Sequence, residues 1–492
     1  MLFNSFQFLL FFPIVTVIYF LLPYKFRWFH LLVASCFFYM AFVPVYILIL
    51  FFTIVIDYIA GIMIENAAGT RRKWFLVMSL VANIGVLAVF KYYNFFTGNF
   101  NHLFSASGIN LQFPILSLIL PIGLSFHTFQ AMSYTIEVYR GNQKAERHFG
   151  IYALYVMFYP QLVAGPIERP QNLLHQFYEH HDFNYEECKE GLKQMLWGFF
   201  KKIVIADRLA LIVKTVFKHP ENFNGVSLTI ATLFFTFQIY CDFSGYSDIA
   251  IGAARVMGFK LMRNFNRPYF ARSIAEFWTR WHISLSTWFR DYLYIPLGGN
   301  RVSKQRLYIN LSIVFIISGL WHGANWTYIV WGALHAFYLI FGLSTKKVRV
   351  AIINSVGITE QSALNNILSN AVTFILVSFA WIFFISANLH DALYVSAHLL
   401  TGWRQVLSVH GIKEVVTALS GNDTILGTFN ILTGVIMVMF MEYVQRRTMD
   451  GPAINIVNNK PRYIRWGFYF FLVVAILLIG VYDHQEFIYF QF

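Results

Sequence analysis

Residues 276–292 read EFWTRWHISLSTWFRDY, and residues 318–328 read SGLWHGANWTY. Each stretch carries one histidine, His282 or His322, among tryptophans, and His335 follows within the next apolar run. The long segments on either side read as lipid-facing. Ionisable groups at such depth are costly and mark functional candidates by default. Of the 492 residues, 58% are hydrophobic and only 12% are charged. A soluble globular chain carries about twice that charged fraction. The reading is an all-α polytopic membrane protein with about 10–12 transmembrane helices plus re-entrant or interfacial ones.

Apolar runs long enough to span lie near 6–22, 29–42, 45–64, 74–91, 114–135, 226–241, 326–343, 369–386, 427–443 and 466–481. The stretches 148–165, 188–218, 244–260 and 305–321 are apolar but interrupted by Gly, Pro or charge, which suits segments buried in protein or lining a cavity. Basic residues orient the chain. Lys25, Arg27, Arg71, Arg72, Lys73, Arg140, Lys144 and Arg147 fall after alternate early spans, against Lys91 alone on the opposite side. That bias puts the basic ends in the cytoplasm and both termini outside it. The chain divides into a single membrane domain, 1–481, and an aromatic extracytoplasmic tail, 482–492.

The net charge of +13 reflects cytoplasmic loops and anionic lipid, and no basic cluster has the density of a nucleic-acid patch. Membrane lipid is the expected partner and nucleic acid is not. Cys36, Cys188 and Cys241 show neither disulfide nor zinc spacing, so no metal is expected. The run 6–22 lacks a basic leader and a cleavage site, and it reads as the first span.

His322 falls at the bend between two hydrophobic segments. A neutral imidazole there can take a proton from a hydroxyl, and Gly323 permits close approach to the backbone. A structural histidine bonded to a neighbouring carbonyl fits the same position. Around His282, helical spacing puts Trp278, His282 and Ser286 on one face and pairs Glu276 with Arg280. Arg280 and Arg290 would suit the phosphates of a charged donor, while an interfacial helix with tryptophan anchors would leave the same pattern. Trp321, Asn325, Asp242 and Ser244 read as cavity-lining groups. Asp57, inside the third span, reads as a buried partner for a hydroxyl or cation. His127 reads as a packing residue, and GPIERP (165–170) as a turn with a local ion pair.

The segments FWTRWHISLSTWFRDYLYIPLGGNR and GLWHGANWTYIVWGALH resemble the membrane-bound O-acyltransferase family. Within it they are similar to the bacterial branch of alginate O-acetylation and teichoic acid D-alanylation. Further matching stretches are PIGLSFHTFQAMSYTIEVYRG, VAGPIERP, KKIVIADRLA and YCDFSGYSDIAIG with MGFKLMRNFNRPY. The likeness runs in order from about residue 5 to 340, and its motifs are long. It implies a ring of helices around a funnel, a catalytic histidine at His322 and a second signature position at His282. It also implies an acyl donor entering from the cytoplasm. The expected donor is acetyl-CoA or another acyl thioester, with no permanently bound cofactor, and the expected chemistry is O-acetylation of a cell-envelope polysaccharide. A secreted or periplasmic acetyltransferase is the expected partner. At His127 the family usually has another aromatic such as Tyr.

The tail residues Phe487-Ile488-Tyr489-Phe490 resemble the aromatic C-terminal motif of the small partner peptide of D-alanylation, whose tyrosine is thought to carry the acyl group. Tyr489 is therefore a candidate acyl relay, against the alternative of an interfacial aromatic anchor. Two rival readings of the whole chain stay open here. One is D-alanyl or longer-chain acyl transfer. The other is a transporter or channel for an anionic solute, although the duplicated halves common in transporters are not visible.

Overall fold

Lipid offers the backbone no hydrogen bonds, so an apolar run can cross it only as a helix or a closed barrel. In the computed structural model every regular element among the described residues is helical. The structure describes residues 1–117, 120–355, 357, 359, 361–404, 406, 408–420, 424–448, 452–482 and 487–488. Among them seven helices are long and apolar enough to cross a membrane: Pro44–Asn66, Gly69–Ala106, Gly225–Val256, Trp326–Ser344, Ala363–Ile385, Ile425–Arg447 and Arg462–Ile479. The apolar helix Phe6–Leu21 is shorter.

One expectation needs correction. The run 114–135 is not one helix. Its helix begins only at Leu124, after Gly123 in the left-handed region, and ends at Arg140. The interrupted stretch 305–321 falls within one continuous helix, Lys304–His322. Its serine and glycine are accommodated because the helix packs tightly on a neighbour, described below.

The chain forms two compact units. The first holds residues 1–195 and 246–262. In it, helices Ile47–Asn66 and Gly69–Leu87 are separated by only two residues and pack against Leu124–Arg140. Buried Asp57 accepts hydrogen bonds from the Ser79 hydroxyl at 2.6 Å and from the Asn83 amide at 2.9 Å. The hydroxyl partner is the one its position inside an apolar span called for. His127 is buried in the first turn of Leu124–Arg140. At the 165–170 turn, the buried Glu168 carboxylate accepts from Asn172 and from the Met262 backbone, and Arg169 donates to the Ser133 hydroxyl.

The second unit holds residues 196–245 and 263–492. Its centre is the helical hairpin Lys304–His322 and Trp326–Ser344. Without a hydrophobic drive between helices in lipid, close backbone approach through small residues supplies the packing. A Cβ on Gly319 would lie 2.2 Å from the Tyr328 carbonyl oxygen, so only glycine lets these two helices meet.

Candidate active site

Both signature histidines lie in the second unit, and local geometry fixes each. His322 is the last residue of the helix Lys304–His322, and the extended Gly323 ends that helix. A Cβ at position 323 would fall 2.1 Å from the Tyr328 ring. The close approach expected at Gly323 is thus made by a side chain of the protein itself. Asn325 caps the returning helix by accepting from the Thr327 N–H at 3.1 Å, and its amide donates to the Ala387 carbonyl at 2.9 Å. The bend that carries His322 is therefore held from both ends. The His322 imidazole is 3% exposed and meets the rings of Trp321, Trp331 and Phe384 edge-on at 4.9, 5.0 and 5.3 Å.

His282 does not sit mid-helix. The segment breaks into Ile274–Arg280 and Ile283–Phe289, and His282 lies between them at φ 43°, in the left-handed region. The shared face of Trp278, His282 and Ser286 is therefore lost. The cause is tertiary. Asn264 takes the Ile283 N–H on its backbone carbonyl at 2.8 Å, and its side-chain oxygen accepts the Ser284 hydroxyl at 2.9 Å. The same oxygen lies 3.2 Å from His282 Nδ1. With that oxygen as acceptor, Nδ1 carries the proton and Nε2 the lone pair. Burial pulls the His282 imidazole down to about 3, so it is neutral at physiological pH. A left-handed conformation in a non-glycine residue is uncommon, and where it occurs the surroundings enforce it.

The flanking groups divide. Trp278 donates its indole N–H to His335 Nδ1 at 3.2 Å. Arg280 pairs with Glu276 at 2.6 Å, at the expected i,i+4 spacing. Arg290 pairs with its neighbour Asp291 at 2.8 Å and is largely exposed. Asp242 and Ser244 are buried. Lys202 reaches Asp242 at 2.7 Å, and the Lys201 ammonium donates to the Ser244 hydroxyl at 2.8 Å.

A continuous run of ring contacts links these parts. Trp321 lies 4.9 Å from His322 and 6.2 Å from His282. Phe243 meets His282 edge-on at 4.5 Å and Phe487 of the tail at 5.8 Å. Phe487 and Ile488 are 1% and 2% exposed. Tyr489 lies outside the described residues. Sequence reasoning gave no role to Asn264, Phe243, Lys202 or Asp207. The two charges were the more findable. Lys202 and Asp207 stand five residues apart in an apolar stretch, and such charges at depth call for partners.

Among the described residues, a predominantly helical chain with seven membrane-length helices and the buried histidines His282, His322 and His335 among tryptophans defines a class: a multi-pass membrane protein with a buried polar site. The sequence model of the membrane-bound O-acyltransferase family matches residues 144–388. The chain is 41% identical over 397 residues to the probable alginate O-acetylase AlgI of Pseudomonas aeruginosa, covering 80% of this chain and 73% of that protein. It is 37% identical over 416 residues to the peptidoglycan O-acetyltransferase of Helicobacter pylori, covering 78% and 75%. The teichoic acid D-alanyltransferase of Streptococcus thermophilus is 32% identical over 238 residues, covering 46% and 57%. The chain belongs to the membrane-bound O-acyltransferase family. It is an O-acyltransferase, and the transporter reading falls.

Proposed function

We propose that the protein transfers an acetyl group from a cytoplasmic acyl thioester, acetyl-CoA, toward an extracytoplasmic polysaccharide, with His322 as the catalytic base. Acetyl is favoured over D-alanyl because the O-acetylating relatives are more similar, and over 78–80% of the chain, against 46% for the D-alanyltransferase. The observation that carries the reading is the ring path from the tail through Phe243, His282 and Trp321 to His322. It supports Tyr489, one residue beyond buried Ile488, as the first acceptor.

In this scheme the Tyr489 phenol oxygen attacks the thioester carbonyl carbon. The C–O bond forms, the C–S bond breaks, and the phenol proton passes to His322. His322 returns that proton to the leaving thiolate, which departs as a free thiol. Neutral His282, with its lone pair on Nε2, can accept a hydrogen bond in the site but cannot donate one to the donor carbonyl. Arg280 and Arg290 are the candidate contacts for the donor phosphates, near Trp278. A partner acetyltransferase outside the membrane then takes the acetyl through its own hydroxyl, whose proton restores the phenol. An aryl ester is activated for that second transfer.

The test is intact-protein and peptide mass spectrometry after incubation with acetyl-CoA, with the downstream transferase absent. An acetyl adduct on Tyr489 is expected in the wild type. It should be absent in Tyr489→Phe and reduced about 10²–10⁴-fold in rate in His322→Ala, the range for loss of a general base. Normal polysaccharide acetylation by Tyr489→Phe removes the relay. Normal acetylation by His322→Ala, at wild-type protein level, removes the base.

A further inference from the structure

The C-terminal segment is seated on a charged cluster that the transfer chemistry does not use. Lys202 is buried, and its ammonium lies 2.7 Å from Asp242 Oδ1 and 2.8 Å from Asp207 Oδ1. Two buried carboxylates thus share one ammonium, and Lys214 adds a further attraction on Asp207. Buried carboxylates are tolerated at depth only when donors meet their oxygens. One donor comes from far along the chain: the Ile488 backbone N–H donates to Asp242 Oδ2 at 2.8 Å.

The start of the tail is fixed by the same region. The Val481 N–H donates to the Ile203 carbonyl at 3.1 Å. The Arg208 guanidinium donates to the carbonyl of Ile479, the last residue of the preceding helix. Ile203 and Lys202 both lie in the π-helical turn Phe200–Ala206. The π-helical turn therefore anchors the tail at 481, Arg208 just beyond it anchors 479, and the carboxylate that Lys202 holds anchors the chain again at 488. Phe487, between the anchors, packs on Phe243, the neighbour of Asp242.

We infer that the Lys202–Asp242 pair, with Asp207 on the same ammonium, is a built-in receptor for the C-terminal segment. Asp242 acts as a positioning residue: its second oxygen fixes the backbone one residue before Tyr489 and so sets where that phenol is presented. The receptor itself rests on the contacts above. Its purpose rests on the relay reading.

The test uses the full chain purified in detergent, treated with a carboxypeptidase and read by intact mass. Asp242→Leu removes the acceptor and leaves Lys202 and Asp207 as a balanced pair. Ile488→Pro removes only the tail's donor and leaves the cluster whole, which guards against misfolding of the first variant. Wild-type protein should resist trimming at Ile488, while both variants should be trimmed back beyond Phe487. Both should also lose acetyl-CoA turnover at least 10-fold in kcat with the donor KM unchanged, because the donor site is intact. Wild-type resistance in both variants overturns the receptor, whatever Tyr489 does. If both variants are trimmed and Tyr489→Phe keeps full turnover, the receptor stands and the relay falls.

Discussion

His282 shows how much a single residue's backbone can decide. Its sequence context, EFWTRWHISLSTWFRDY, has the propensity of one helix, yet Asn264 satisfies the backbone and hydroxyl groups that follow and breaks the helix at this histidine. The break turns the imidazole against Phe243 and Trp321 instead of along a helix face. Glu168, in the other unit, gives a pH dependence that can be measured. Burial pushes its carboxyl up from 4.5 to about 7, against the opposing hydrogen bonds from Met262 and Asn172. A folded-state pKa above the unfolded one means that the folded chain holds its proton more tightly. The contribution is full below pH 4.5 and is lost as pH rises through about 7, on the order of 1–3 kcal/mol. The melting temperature in detergent should therefore fall between pH 5 and pH 8 more steeply in the wild type than in Glu168→Gln. Parallel slopes would show that the carboxyl is not the titrating group.

At the scale of elements, the hairpin that ends in His322 depends on the separation of its two helices. Gly319 sits where any Cβ would meet the Tyr328 carbonyl, backbone that cannot swing aside. Gly319→Ala should force the helices apart, costing about 1–3 kcal/mol as overpacking and displacing the bend that carries the imidazole. Gly342, in the second helix of the hairpin, has nothing within 4 Å of its would-be Cβ and provides the control. Gly342→Ala should melt at or slightly above the wild-type temperature, because alanine is the better helix former. Thermal unfolding and turnover of the two variants, measured side by side, check the claim. Equal behaviour would mean that the hairpin tolerates a wider crossing.

At the scale of the molecule, the basic residues set a topology that can be read by labelling. Lys346, Lys347 and Arg349 follow one membrane-length helix, and Arg446 and Arg447 end another. We propose that both groups face the cytoplasm and both termini face out, following the positive-inside bias. In a cysteine-free background, Lys346→Cys should react with an impermeant maleimide only after cells are opened, whereas a cysteine placed before Met1 should react in intact spheroplasts. Labelling of Lys346→Cys in intact spheroplasts would reverse the orientation, and with it the side from which the thioester must enter.

The sequence alone determined the solvent of this protein and the identity of its reactive groups. Hydropathy is additive along a chain, so membrane helices such as Pro44–Asn66 and Ala363–Ile385 could be read residue by residue. A histidine between tryptophans in an apolar run is equally visible, because its cost is local. Tertiary structure alone decided what those groups touch. Asn264 reaches His282 across 18 positions, Ile488 reaches Asp242 across 246, and Trp278 reaches His335 across 57. No periodicity records such pairings, since each is fixed by helices meeting in space. The satisfaction of buried polar groups, which made these partners necessary, is a property of the packed chain and not of any one segment.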